Sequence, residues 1–138
     1  MRIILLDLNY TLVKNSYQKK HPFARQIDEE QYRAELINAI RKEFVGMITA
    51  RPIQHKLLTL KSIVNKTNWL PANSYFNDTL LPPPLFKERI LKKYFLPNYN
   101  TNELLAIESN PKTRAMYNKY NIRAVTFQEF LEAKWKIK

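Results

Sequence analysis

The sequence predicts an α/β protein built on a mostly parallel sheet. Three observations carry that reading. Short runs dominated by apolar residues recur at Ile3–Leu6 (IILL), Phe44–Thr49 (FVGMIT) and Glu103–Ile107 (ELLAI). Such runs read as strands buried on both faces, as in the interior of a parallel sheet. Segments with apolar residues at helical spacing separate them, and strands alternate with helices from end to end, the pattern of right-handed β–α–β crossovers.

The first strand, Ile3–Leu6, ends at Asp7. Ligands of open α/β sheets bind beyond the carboxyl ends of the strands, so Asp7 either caps the following turn or sits where chemistry happens. Asn15–Gln26 lacks hydrophobic periodicity, contains Pro22 and carries Lys19, Lys20, His21 and Arg25; it reads as a loop or flap over the strand end. Asp28–Glu43 reads as a helix, with Tyr32, Leu36, Ile37 and Ile40 at helical spacing and a capping box from Asp28 and Gln31. The second strand, Phe44–Thr49, runs into Ala50-Arg51-Pro52. Pro52 suits the first turn of a helix, expected to reach about Asn65 with Ile53, Leu57, Leu60 and Val64 facing inward.

Asn73–Asn77 is the third predicted strand. Pro82, Pro83 and Pro84 make Asp78–Pro84 a rigid extended connector. Leu85–Tyr94 is a basic helix with Phe86, Ile90, Leu91 and Tyr94 inward, and Leu96–Asn102 is a loop. The fourth strand, Glu103–Ile107, ends in Glu108-Ser109-Asn110, and Pro111 opens a helix to about Tyr120. Asn121–Val125 is the fifth strand. Thr126 and Glu129 form a capping box for a last helix to Lys138, packed through Phe127, Phe130 and Leu131.

A length of 138 residues suits one domain with a single core. The chain has no cysteine, which excludes disulfides and thiolate metal sites. Its only glycine is Gly46, which excludes glycine-rich phosphate cradles. The formal charge of +11 favours anionic partners. No apolar run approaches a membrane span and no secretory signal is visible, so a cytoplasmic protein is expected.

Asp7, Thr49 and Glu108 fall at the carboxyl ends of three predicted strands, and Lys87 lies near the start of the helix that follows the proline connector. Each alone has an ordinary explanation: Thr49 a helix cap, Lys87 a solvated lysine, Glu108 a cap or a surface ion pair. Together they suit phosphoryl transfer. A carboxylate can act as nucleophile and form an acyl phosphate. A second carboxylate can share a Mg²⁺ with it. A hydroxyl and a lysine can hold the oxygens of the transferring group, and helix N-termini add backbone donors.

These segments resemble the haloacid dehalogenase (HAD-like) superfamily of Mg²⁺-dependent phosphatases. The first motif of that family, an apolar strand followed by Asp-x-Asp-x-Thr, matches Asp7-Leu8-Asn9-Tyr10-Thr11. The second, a strand ending in Thr or Ser, matches Met47-Ile48-Thr49. The third, a lysine near a helix start, matches Lys87, and the fourth, a strand ending in acids, matches Leu104–Glu108. The third and fourth segments also resemble the phosphatase domain of phage polynucleotide kinase-phosphatase.

The resemblance implies a three-layer Rossmann-like sandwich: a central parallel five-stranded sheet in the order 5-4-1-2-3, with helices on both faces. The domain would span residues 1–138, with a short flap and helix insert at about 13–43 in place of a large cap. It also implies Asp7 as nucleophile and metal ligand, Thr49 on the phosphoryl group, Lys87 neutralising both, and Glu108 holding Mg²⁺ with the Asn9 carbonyl. Thr11, Tyr10, Arg51 and Asn110 are the further candidates for substrate contact.

Three departures matter. Asn9 stands where the family has its general acid–base aspartate, so that help, worth about 10²–10⁴-fold, should be missing. Tyr10 stands in place of a glycine and either narrows the site or stacks on a base. Only one acid, Glu108, remains in the fourth motif, where Asn110 is either a neutral ligand or, the favoured reading, a helix cap. The expected function is a phosphohydrolase of slow turnover on a nucleotide or nucleic-acid phosphate. The alternative is an impaired protein of the same fold that binds nucleic acid or a partner protein through a basic surface.

Overall fold

Strand β1 (Ile3–Leu6) forms the centre of the sheet, and all four of its residues are buried. The computed structural model describes residues 1–137, with side chains for residues 1–133. β1 pairs in parallel with β2 (Phe44–Pro52) on one side and β4 (Leu104–Ile107) on the other. β3 (Asn73–Asn77) lies outside β2, and β5 (Arg123–Val125) lies outside β4. The five-stranded order, β3-β2-β1-β4-β5, is the expected one read from the opposite edge.

Side chains alternate across a strand, and here that alternation divides the interior into two cores. Ile4 and Leu6 point with Val45, Met47, Leu105 and Ile107 into one. Ile3 and Leu5 point with Ile48, Leu104 and Ala106 into the other. The first core is covered by α2 (Ala34–Ile40), α3 (Lys56–Thr67) and α6 (Phe127–Ile137), and α1 (Phe23–Asp28) packs on α3. The second is covered by α4 (Pro83–Ile90) and α5 (Pro111–Lys119). Among the described residues no helix is long and apolar enough to cross a membrane.

Several elements differ from expectation for identifiable reasons. The segment expected as a helix over Asp28–Glu43 is helical only in α2, and the stretch Asn15–Gln26 expected as a loop or flap ends in helix, because α1 begins at Phe23 behind Pro22. Asp28 closes α1 instead of capping a helix, and Glu29–Arg33 runs between α1 and α2. This link is held by long-range partners: Val13 forms a bridge with Tyr32, the Lys14 N–H donates to the Gln31 carbonyl, and the Arg33 N–H donates to the Leu12 carbonyl. β2 continues to Pro52, with an irregular register against β3 between Ile48 and Pro52. The proline connector is shorter than expected, because Pro83 and Pro84 are the first residues of α4. The first turn of a helix leaves its N–H groups unpaired, so proline costs nothing there. The expected loop over Leu96–Asn102 contains the start of a short turn, Thr101–Glu103, closed by a capping box between Asn100 and Glu103. Lys138 lies outside the described residues.

The inward face of α3 is also rotated. Leu57, at 81% exposure, stands in solvent with Ile53 and Val64, while Thr59 and Ile63 face in. A tight turn over Ile53–His55 shifts the helical phase. Thr59 is drawn inward to accept a hydrogen bond from the buried Arg51 guanidinium at 3.0 Å. Tyr94, expected inward, is part-exposed and packs its ring on Tyr75 at 4.9 Å between centroids.

Gly46 is set by packing. A Cβ at this position would lie 2.9 Å from Cζ of Phe95. Phe95 is 2% exposed and wedged against Tyr75 and Tyr99, so it has little room to retreat. Gly46→Val should therefore destabilise the protein by about 1–3 kcal/mol through overpacking, measured by urea unfolding; an unchanged midpoint would contradict this account of the close approach.

Candidate active site

The site forms where β1 and β4 end. After Asp7 the chain makes a tight turn over Leu8–Leu12, in which Asn9 is extended (φ −68°, ψ 135°) and Tyr10 is left-handed (φ 63°). This turn carries Thr11 back beneath Asp7, and its hydroxyl donates to Asp7 Oδ2 at 2.8 Å. The Tyr10 N–H donates to Ser16 Oγ at 2.8 Å, which pins the turn to the following loop. At the end of β4, Ser109 Oγ donates to the same Asp7 oxygen at 2.9 Å and lies 3.3 Å from the Asn9 carbonyl.

Lys87 completes the cluster from α4. Its Nζ lies 2.7 Å from Asp7 Oδ1 and 2.7 Å from Glu108 Oε1, and all three side chains are buried. One ammonium thus serves two carboxyl groups in a desolvated site. Burial works against ionisation of Asp7, but the Lys87 charge and the hydrogen bonds from Lys87 and Thr11 outweigh it and hold the carboxyl below its ordinary value. Burial and the Asp7 charge push Glu108 up to about 7 against the pull of Lys87. Burial also opposes the charge on Lys87, but Asp7 and Glu108 together hold the ammonium above its ordinary value.

Asp7, Asn9, Tyr10, Thr49, Lys87, Glu108 and Asn110 all line one open cleft of about 200 Å³, joined by Ala50, Pro83 and Ser109. The structure thus brings together seven of the nine candidates. Thr49 Oγ1 accepts from the Arg51 N–H at 3.1 Å. Asn110 caps α5, accepting from the Lys112 N–H at 2.9 Å, while its own N–H donates to Glu108 Oε2 at 3.1 Å. Thr11 is wholly buried and orients Asp7 without reaching the cleft.

Arg51 is a correction to the expected substrate contacts. It is 3% exposed and lies behind Asn9. It pairs with Glu30 at 2.5 Å, donates to Thr59, and donates to Asn9 Oδ1 at 2.8 Å. Phe23 packs against its guanidinium, 4.9 Å from the ring centroid. The arginine therefore fixes the Asn9 amide, and its charge is already matched by a buried carboxylate.

Two site residues were not identified from sequence. In the sequence Ser109 is only a position without an acid, and nothing in its neighbourhood signals a hydroxyl aimed back at Asp7. Glu30 falls inside the helix expected over Asp28–Glu43, and its partner is 21 residues away.

No protein-family model matches the chain, and no curated protein is significantly similar to it in sequence. Solved structures share its shape. A chain described as "Structure of Pnkp1/Rnl/Hen1 complex" superposes with a TM-score of 0.70 at 10% identity, covering 91% of this chain and 45% of that one. A chain described as "Structure of the Pnkp1/Rnl/Hen1 RNA repair complex" gives a TM-score of 0.72 at 12% identity, covering 91% of this chain and 41% of that one. The chain spans less than half the length of each. The likeness shows a shared fold.

The pH dependence of stability follows from Glu108. Its carboxyl is raised to about 7 in the folded state from an ordinary 4.5. The folded state therefore holds this proton more firmly than the unfolded chain. The resulting stabilisation is complete below the ordinary value and is lost as pH rises through about 7. Without added metal, Glu108→Gln should gain roughly 1–3 kcal/mol relative to the unmodified chain between pH 5 and pH 8, read from denaturant midpoints. A constant difference across that range would contradict the assignment.

Proposed function

We propose that the cleft binds a phosphoryl group and that the chain is a HAD-like phosphohydrolase acting on a nucleotide or nucleic-acid phosphate. The observation that carries this reading is the buried cluster of Asp7, Lys87 and Glu108 at the carboxyl edge of the sheet. An ion pair kept for structure needs one acid per lysine, whereas a second buried carboxylate is costly. A site that receives a cation and an anionic ligand accounts for it. The formal charge of +11 favours a polyanionic ligand, and the fold shared with chains of an RNA repair complex supports the same choice.

In the proposed reaction an Asp7 carboxylate oxygen attacks phosphorus and the bond from phosphorus to the leaving oxygen breaks. The leaving alkoxide takes a proton from water. Water then hydrolyses the aspartyl phosphate, releasing inorganic phosphate and restoring Asp7. Thr11 and Ser109 hold the Asp7 carboxylate in one orientation. Lys87 and Thr49, which both line the cleft, would offset charge on the phosphoryl oxygens.

The donor set suits Mg²⁺. Asp7, Glu108 and the Asn9 carbonyl are all hard oxygen donors, and Mg²⁺ is held by one or two carboxylates together with substrate phosphate and water. Among the described residues there is no group of three or more acidic or histidine side chains that would form an all-protein cage. Asp7, Glu108 and the Asn9 carbonyl would hold the ion, which when bound would offset charge on the phosphate.

Asn9 limits turnover. Its amide cannot exchange a proton, and Arg51 holds its oxygen at 2.8 Å. The same contact favours a second reading, in which the site binds a phosphorylated ligand without turning it over. Phosphate release with Mg²⁺ separates the two, using an aryl phosphate, nucleoside monophosphates, and oligonucleotides phosphorylated at either end. Slow release is expected, abolished in Asp7→Ala. Asn9→Asp should raise it by about 10²-fold, the low end of acid–base help, because Arg51 would hold the new carboxyl ionised. Silence from both the unmodified chain and Asn9→Asp would remove the enzyme reading and leave the binding one.

A further inference from the structure

Among the described residues three non-glycine positions have positive φ: Tyr10 at 63°, Asn68 at 55° and Asn121 at 61°. Asparagine tolerates that region, while a bulky aromatic residue there is an outlier. Such outliers persist where the surroundings enforce them, and they gather at binding sites. The enforcement is visible on both sides of the peptide. The Tyr10 N–H is bound by Ser16 and its carbonyl by Arg33. The turn thus presents the Tyr10 ring at the lip of the Asp7 cleft, with the residue 48% exposed.

Lys19 Nζ stands 5.2 Å from the centre of this ring. It belongs to the flap, which is tied down. Asn15 donates to the Glu29 carbonyl at 3.0 Å and accepts from the Gln31 N–H at 2.8 Å, and the Lys20 N–H donates to Gln26 at 3.2 Å. The ring and its ammonium neighbour are therefore a preformed surface. The cleft itself is small: about 200 Å³, against roughly 300–1,000 Å³ for pockets that enclose a whole small molecule. It has room for the phosphoryl end of a ligand, and the rest of the ligand must lie across the lip.

We propose that Tyr10 and Lys19 form a stacking subsite for the terminal base of a single-stranded nucleic acid whose end phosphate occupies the Asp7–Lys87–Glu108 cleft. This rests on the phosphate reading of the cleft given above. The base lies on the face of the phenol ring away from Lys19, whose ammonium stands over the other face and adds a positive charge for the neighbouring phosphate. Every base has a π-face, so such a platform is tolerant of sequence. A terminal base in a duplex is already stacked and paired, so single-stranded ends gain most.

The test is equilibrium binding to the full chain, with three probes. One is a short single-stranded oligonucleotide, phosphorylated at the 3′ or the 5′ end or at neither; the second is the blunt duplex of the same sequence; the third is inorganic phosphate. Tyr10→Ala and Tyr10→Gly are compared with Tyr10→Trp, and Tyr10→Gly guards against misfolding because glycine suits the left-handed turn. Both small variants should weaken the phosphorylated oligonucleotide by roughly 5- to 100-fold more than they weaken inorganic phosphate, and Tyr10→Trp should keep oligonucleotide affinity. Equal losses for the oligonucleotide and inorganic phosphate, no loss for the oligonucleotide, or equal binding of the blunt duplex would each overturn the subsite. Tight phosphate binding with no oligonucleotide binding would overturn it while sparing the cleft. Tyr10-dependent binding indifferent to the end phosphate would instead remove the phosphate reading of the cleft, and the placing of the base with it.

Discussion

The Lys87 ammonium is the contact on which the site depends. It reaches from α4 to the ends of β1 and β4 and lies 2.7 Å from a carboxylate on each. Removing it would leave two like charges buried side by side, and a buried charge stripped of its partner is among the most destabilising changes a protein can suffer. The same contact makes the two acids unequal. Asp7 gains hydrogen bonds from Thr11 and Ser109 and stays ionised, while burial and the charge on Asp7 raise Glu108. Two carboxylates of one cluster thus come to differ in proton affinity through their surroundings alone.

A second buried pair, Arg51 with Glu30, works behind the first. It joins β2 to the link between α1 and α2, and the Lys66 ammonium reinforces the join by donating to the carbonyls of Asp28 and Glu30. The insert that follows β1 is therefore fastened to the sheet through buried charge and main-chain contacts. Arg51 also holds Asn9, so the residue that departs most consequentially from the phosphatase pattern is locked into the scaffold. An aspartate there would share its arginine with Glu30, which ties the identity of residue 9 to the packing of the insert.

The scarcity of glycine shapes the local solutions. The one glycine is used where β2 passes Phe95. The left-handed turn after Asp7 is therefore made by Tyr10, with Ser16 and Arg33 holding the backbone. The cleft likewise takes its polar lining from Lys87, the Thr49 hydroxyl and the capped start of α5 in place of a glycine-rich loop.

The sequence by itself determined the strands, their parallel setting and the candidate acids. Ile3–Leu6 and Leu104–Ile107 are continuous apolar runs, and that local pattern marks burial on both faces, with Asp7 and Glu108 at the first polar positions beyond them. Residues separated by many positions escaped it. Lys87 is one of several cations in its helical stretch; in the sequence the family resemblance alone singles it out, and its packing against Asp7, 80 residues away, is what separates it physically from its solvated neighbours. Ser109, the Glu30–Arg51 pair, the break between α1 and α2 and the turned face of α3 were likewise decided by tertiary structure. Periodicity reports which face of an element prefers to be buried; which charges meet there depends on long-range geometry that no local pattern encodes.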